Sequence, residues 1–213
     1  MKDRVDKLIP CIILAGGKSK RMEGIDKALV KLDGMTLIER VLKKTINEFE
    51  DIFVIVKDEK QKNEIKKSLR MTSNKISIFS DDSDVISPLS GIKFGIEKTN
   101  SDFFFLIACD MPMVSQETIK KLLNTHYEER KNSVNKTSDC IIFQRDGYIE
   151  PFCAIYKKEV FLNSEVNDSL KSCIEKTENK KILDLENSDE FMNINTDHDL
   201  EKAESYMRNF KKI

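Results

Sequence analysis

Apolar residues along the chain form short unbroken runs, separated by stretches in which they recur at helical spacing. Ile9 to Leu14, Asp51 to Val56 and Phe103 to Ala108 are nearly continuous apolar segments. They predict strands buried on both faces, as in a parallel sheet. Lys75 to Phe79 alternates and predicts a shorter strand. Between these runs, Thr36 to Thr45 sets Leu37, Ile38, Val41 and Leu42 on one helical face, and Glu59 to Leu69 does the same with Ile65 and Leu69. Ser87 followed by Pro88 reads as an N-cap and a first helical residue, with Leu89, Ile92 and Ile96 facing inward. Ser115 to Tyr127 predicts a further capped helix that buries Ile119, Leu122 and Leu123. Strand and helix alternate, which predicts an α/β chain with helices on both faces of the sheet.

The pattern changes after residue 130. Lys131 to Ser138 is polar and reads as a loop. Asp139 to Gln144 and Pro151 to Tyr156 read as two strands joined through the turn Arg145-Asp146-Gly147-Tyr148. That short spacing predicts an antiparallel or bent excursion at one end of the sheet. Lys158 to Thr177 has weak helical patterning, Lys181 to Leu185 is a candidate strand, and a terminal helix follows Asp197. Thr196 with Asp199 three residues later resembles a capping box, with Asp in place of Glu or Gln. There is no internal repeat and no shift of composition, so residues 1–213 read as a single domain. The expected architecture is a Rossmann-like three-layer α/β/α fold with a mostly parallel central sheet.

Composition narrows the functional classes. The 213 residues carry 36 basic and 37 acidic side chains, a formal net charge of −1. No global field therefore invites nucleic acid or an anionic membrane, and any anion site has to be local. No run approaches the ~20 apolar residues that span a bilayer, and Met1 to Lys7 leads into too short an apolar stretch for a signal peptide. The five cysteines are odd in number and widely spaced, and there are two histidines. A disulfide framework, a zinc site and a His-rich metal site are all disfavoured, and a reduced, cytoplasmic protein is expected.

The local charge lies in Leu14-Ala15-Gly16-Gly17-Lys18-Ser19-Lys20-Arg21-Met22-Glu23-Gly24-Ile25-Asp26-Lys27. This basic loop leaves the carboxyl end of the first strand, where open α/β sheets bind ligands. Gly16 and Gly17 let backbone N–H groups approach oxygens closely. Arg21 can grip a phosphate with two parallel hydrogen bonds, and Lys27 acts as a mobile point charge. The alternative is a solvated surface turn with ordinary lysines. The loop is neither a Walker A sequence nor G-x-G-x-x-G, which excludes a hydride-transferring dehydrogenase of the usual kind.

The most apolar run ends in Cys109-Asp110-Met111-Pro112, placing a carboxylate at the carboxyl end of a central strand, in the same crevice as the loop. From the residues alone, Asp110 has two readings. It either shapes the turn before Pro112 or faces a ligand.

The stretch L-A-G-G-x-S-x-R-M-x-G-x-D-K-A-L resembles the signature loop of the nucleotidyltransferases, and is most similar to that of the molybdenum cofactor guanylyltransferases. Pro88 to Gly91, Cys109 to Pro112 and Phe191 to Thr196 extend the resemblance over most of the chain. Its implied fold is the nucleotide-diphospho-sugar transferase type. Its implied reaction is transfer of GMP from GTP to molybdenum-carrying molybdopterin, with release of pyrophosphate and formation of the guanine dinucleotide cofactor. The same resemblance implies Arg21, Lys27 and Asp110 as catalytic residues, and Leu14, Ala15, Gly16, Gly17, Arg21, Lys27, Asp82 and Asp110 as nucleotide-binding. It implies Asp110 as the ligand of Mg²⁺, and Asn193 and Asn195 as contacts of the acceptor. Simple turn and cap duty is the alternative for both asparagines. Molybdenum-insertion proteins and molybdoenzyme chaperones are implied partners.

Some positions depart from the family pattern. Glu23 stands where the family has glycine, at a cost of about 1 kcal/mol if that position needs positive φ. Ser87 and Ser90 replace a glycine and an alanine. Asp81, Asp82 and Asp84 compete for the acidic residue that holds the nucleoside, with Asp82 favoured. A nucleotidyltransferase of the same fold that uses another base or acceptor, such as cytidylyl transfer to molybdopterin or a sugar phosphate, is the alternative reading. A nucleotide-binding protein without turnover is a third.

Overall fold

The computed structural model describes residues 8–16, 26–81, 87–131, 137–145, 147–165, 168–185 and 188–210. In chain order the strands are β1 (Cys11–Leu14), β2 (Lys31–Leu32), β3 (Met35–Thr36), β4 (Ile52–Val56), β5 (Ile76–Ser80), β6 (Phe103–Ala108), β7 (Cys140–Arg145), β8 (Tyr148–Lys157) and β9 (Lys180–Asp184). The α-helices are α1 (Leu37–Thr45), α2 (Glu59–Ser68), α3 (Pro88–Ile96), α4 (Gln116–Lys131), α5 (Glu159–Leu162), α6 (Leu170–Lys176) and α7 (Asp197–Phe210).

Seven strands form the main sheet in the order β5-β4-β1-β6-β8-β7-β9. The first four are mutually parallel, with Ile13 of β1 paired to Val54 of β4 and to Ile107 of β6. β8 reverses direction against both β6 and β7, and β9 returns to run parallel to β7. The expected three-layer, mostly parallel architecture is present, and the excursion after residue 139 is antiparallel.

Alternate residues of the apolar runs supply the two faces. Ile13, Val54, Phe105 and Ile107 pack with Val41 and Leu42 of α1, Ile65 of α2, and Ile119 and Leu122 of α4. Ile12, Ile55, Phe104 and Leu106 point the other way, to Ile92 and Ile96 of α3, Phe161 of α5, and Cys173 and Ile174 of α6. Both faces are thus covered, which is why these strands contain no polar alternation. A third, smaller cluster joins Val30, Leu32 and Leu37 to Ile194 and to Ala203 of α7.

The cap predicted at Ser87 is in place, and α1 carries one that was not predicted. Ser87 Oγ accepts from Ser90 N, and Thr36 and Glu39 form a reciprocal capping box at α1. The Lys158 to Thr177 stretch resolves into α5 and α6, and α4 runs to Lys131, further than its apolar pattern suggests. The β2–β3 hairpin was not expected from the hydropathy pattern. Its two-residue turn is Asp33-Gly34, both at positive φ (49° and 77°). Asp-Gly is a strong hairpin signal, but strands of two residues leave no apolar run to notice.

Candidate functional site

The site grows from the carboxyl ends of β1 and β6. Cys109 N donates to Leu14 O (2.9 Å) and Ala15 N to Ile55 O (2.8 Å), so Leu14 and Ala15 are still held by neighbouring strands as the loop departs. Gly16 then passes over the end of β4, where a Cβ would lie 3.3 Å from Lys57 N. Only glycine allows that approach without displacing the backbone.

A buried amide holds this departure in place. Gln61 of α2 is 1% exposed. Its Nε2 donates to Ala15 O (2.8 Å), and its Oε1 accepts from Lys57 N (2.8 Å). One side chain therefore fastens the end of β1 to the loop that follows β4. Asp26, where the chain re-enters the described structure, lies close enough to Gln61 to feel its amide, and its Oδ1 accepts from Ala28 N (3.0 Å). Burial pushes the Asp26 carboxyl up, against the opposing pull of the Ala28 amide, the Lys57 charge and the nearby Gln61 amide.

Asp26 caps a single helical turn, Lys27–Leu29, that begins with Lys27. The Lys27 ammonium donates to Asp110 Oδ2 (2.6 Å) and to Asn195 Oδ1. The Lys27 and Asp110 side chains are each 19% exposed, so the pair is partly desolvated and open on one side. Asp110 is further tied to the Asn195 segment through its own carbonyl, which accepts from Ile194 N (2.9 Å). Asn195 is held by the start of α7, where Asp199 Oδ2 accepts from Asn195 N (3.0 Å) and Thr196 N (2.9 Å), and Asp199 N donates to Thr196 Oγ1 (3.2 Å). Burial raises the Asp199 carboxyl, but these donors outweigh it and hold it below the usual carboxylate range. The capping box at Thr196 and Asp199 thus has a second use, which is to aim Asn195.

Helix α1 sets the distance between the two loops. Arg40 Nε donates to Leu32 O (2.8 Å), in the hairpin that follows Lys27. One turn on, Lys44 Nζ donates to Pro112 O (2.7 Å) and Val114 O (2.5 Å), in the loop that follows Asp110. Residues i and i+4 share a helix face, so one stripe of α1 holds both. Burial pushes Lys44 down to about 8, with the Glu190 charge opposing and Arg40 assisting.

Asp110 also meets the chemical requirement for a cation ligand. Its Oδ1 is buried and has no hydrogen-bond partner among the described residues. An orphaned carboxylate oxygen is costly unless a ligand completes it. Among the described residues there is no group of three or more His, Cys, Asp or Glu that could hold a metal. Mg²⁺ fits such a position, since it takes one or two carboxylates and fills its shell with phosphate oxygens and water.

Of the sequence-predicted residues, Leu14, Ala15, Gly16, Lys27, Asp110 and Asn195 converge on this crevice. Asn193 is half-buried two residues before Asn195. Gly17, Arg21 and Asp82 lie outside the described residues, as do Glu23 and Asp84. Asp81 stands beyond the ends of β4 and β5, its N–H bonded to Val56 O (2.7 Å). Glu150 and Phe152 sit where β8 runs past its last pair with β6, Cys153 opposite Ile107, and flank the crevice on the far side. Burial pushes the Glu150 carboxyl up, with Arg145 opposing. Gln61, Arg40 and Lys44 were not singled out from the sequence. Gln61 and Lys44 bond to main chain far away in sequence and Arg40 to the adjoining hairpin, and only the helical face shared by Arg40 and Lys44 could have hinted at a joint role.

The MobA-like NTP transferase domain family matches residues 11–190. A probable molybdenum cofactor guanylyltransferase of Natranaerobius thermophilus is 34% identical over 211 residues, covering 93% of this chain and 96% of that protein. One of Clostridium perfringens strain SM101 is 30% identical, covering 89% and 92%. Among solved structures, molybdopterin-guanine dinucleotide biosynthesis protein A of Archaeoglobus fulgidus superposes with a TM-score of 0.71 at 25% identity, covering 94% of this chain and 100% of that one.

Proposed function

Because the chain belongs to the MobA-like NTP transferase domain family, we propose that it transfers GMP from GTP to molybdenum-carrying molybdopterin, releasing pyrophosphate and forming the guanine dinucleotide cofactor. The observation that carries this reading is the Lys27 ammonium, bound at once to Asp110 and Asn195. It joins the loop that would hold the nucleotide to the segment that would hold the acceptor. The relatives named as molybdenum cofactor guanylyltransferases support the choice of base and acceptor.

In this reading GTP lies over the first loop, with phosphate oxygens near the Gly16 and Gly17 backbone and the nucleoside near Asp82. Asn193 and Asn195 orient the acceptor. Its terminal phosphate attacks the α-phosphorus in line, a new P–O bond forms, and the bond to the bridging oxygen breaks with its electron pair leaving on pyrophosphate. Lys27 and Arg21 neutralise the charge that grows on that oxygen. The attacking phosphate is already ionised near neutrality, so no side chain need take a proton. Such chemistry depends on positioning and charge stabilisation, which fits a site built from ammonium, carboxylate and amide groups. Asp110 would hold Mg²⁺, which supplies charge neutralisation and polarises the phosphate when bound.

Among the described residues no helix is long and apolar enough to cross a membrane. We place the protein in the cytoplasm, where molybdenum-insertion proteins and molybdoenzyme chaperones would be its partners.

The first experiment is thermal stabilisation by GTP, CTP, ATP and UTP, each with and without Mg²⁺. A nucleotide at 100 times its dissociation constant stabilises by about 2.7 kcal/mol. The expected result is a Mg²⁺-dependent shift with GTP alone, followed by formation of molybdopterin guanine dinucleotide from GTP and molybdenum-molybdopterin. A shift with CTP in place of GTP overturns the guanylyl assignment.

A further inference from the structure

Helix α4 starts directly after the Asp110 loop, and its cap is completed from elsewhere in the chain. Ser115 Oγ accepts from Thr118 N (3.1 Å), the ordinary half of a capping box. In the other half, the third helical residue reaches back to the N–H of the capping residue. At α1 that partner is Glu39, at α3 it is Ser90, and before α7 it is Asp199, all local. At α4 the third residue is Thr118, and the Ser115 N–H goes instead to Glu190 Oε2 (3.1 Å), 75 residues away. The same oxygen accepts from Thr118 Oγ1 (2.6 Å). Glu190 also faces Lys44, whose ammonium holds the carbonyls of Pro112 and Val114 in the same loop.

Glu190 lies in the helical turn Ser188–Phe191, just ahead of Asn193 and Asn195. Phe191 is buried and meets Phe143 of β7 edge-on, and three residues later Ile194 N reaches Asp110 O. The acceptor segment is therefore pinned to the Asp110 loop twice, by Glu190 before it and by Ile194 within it. A local Glu at position 118 would cap α4 equally well, but would not make the first of these ties.

We infer that Glu190 is a positioning residue: by capping α4 from a remote segment it registers Asn193 and Asn195 against Asp110, and so governs acceptor binding. Its catalytic consequence rests on the reaction proposed above.

The test uses the full chain with Glu190→Ala and the milder Glu190→Gln, which keeps one acceptor oxygen and secures a folded variant. In the free protein, amide exchange at Ile194 reads the registration directly. In turnover, KM for molybdenum-molybdopterin is compared with the Mg²⁺-GTP thermal shift. For Glu190→Ala, Ile194 exchanges at least about 10-fold faster and acceptor KM rises about 10-fold, the size of one lost buried hydrogen bond. The GTP shift and kcat at saturating acceptor stay near wild type, and Glu190→Gln recovers part of both losses. Wild-type exchange at Ile194 in folded variants overturns the inference, as does an equal loss of GTP and acceptor affinity, which marks a merely structural cap. If the wild-type chain makes no guanine dinucleotide, the proposed reaction fails, and Ile194 exchange alone decides whether Glu190 sets the register.

Discussion

Strands β5, β4, β1 and β6 run parallel, whereas β8 runs against both of its neighbours, with β7 and the parallel-paired β9 beyond it. β1, β4 and β6 are buried almost throughout, while Lys181, Ile182 and Asp184 of β9 are exposed. The register of β7 on β8 shifts at Ile142 and Phe143, beside Pro151, which has no N–H to give to a ladder. The Pro151 carbonyl is used instead by Tyr156 Oη (2.8 Å). In the proposed reaction the first region would be the fixed frame for the nucleoside triphosphate. The second bends at its bulge, and in the proposed reaction it would overhang the acceptor. The candidate site lies at their seam, where Lys27 from one side meets Asn195 from the segment that follows the other.

The largest expected effect is at that seam. Asp110→Ala should lower guanylyl transfer by about 10²–10³-fold, the range for removing one pre-organised electrostatic contact. Single-turnover assays with GTP and molybdenum-molybdopterin measure it, and wild-type rates would move the reacting centre elsewhere.

Next in size is acid sensitivity at the base of the frame. His126 of α4 is fully buried against Phe103 and Tyr127, with both ring nitrogens unpartnered among the described residues. Burial pushes it down to about 4 from 6.5, with Arg130 assisting and Glu129 opposing. The unfolded chain takes up the proton near pH 6.5 and the folded chain only near 4. Stability is therefore full above 6.5 and falls as pH drops through that window, by about 3 kcal/mol in all. Urea denaturation at pH 7 and pH 4.5 should show most of this loss in wild type and little of it in His126→Phe. Equal pH dependence in both would show that another group is responsible.

Gln61→Leu tests whether the frame is held by one amide. It strands Ala15 O and Lys57 N, and should cost about 2 kcal/mol by chemical denaturation. The GTP-dependent thermal shift should shrink with it. An undiminished GTP shift in the folded variant would separate the loop's geometry from its binding role.

The smallest effect belongs to the overhang. Gly147 turns the β7–β8 hairpin at φ 82°. A side chain there meets open space, so the cost of Gly147→Ala is backbone strain alone, about 1 kcal/mol. The GTP shift should be unaffected, and a change in it would show that the two regions are coupled.

Much of the frame is legible in the sequence because its signals are local. Phe103 to Ala108 can hardly be anything but a central strand, and Asp110 follows it at the carboxyl end. Ser87-Pro88 and Thr196 with Asp199 announce their helices. What the sequence hides is long-range and polar. Gln61 in a charged helix resembles a solvent-facing residue, and nothing near it records that its partners are Ala15 and Lys57. Glu190 completes a cap 75 residues away. The parallel pairing of β9 with β7 depends on how the chain returns, which no pattern within residues 180–184 encodes. Arg21 and Asp82 rest on the family resemblance, since both lie outside the described residues.

The cysteines also mark the two regions for kinetic study. Cys11 and Cys109 belong to the parallel frame, Cys140 and Cys153 to the overhanging strands, and Cys173 to α6 beneath them, all five buried and free. Burial raises the thiols of Cys11, Cys109, Cys140 and Cys153, which withholds the reactive thiolate. An alkylating reagent therefore labels each only when its own surroundings open. The order in which they acquire label is a clock of local unfolding, with one hand in each half of the sheet.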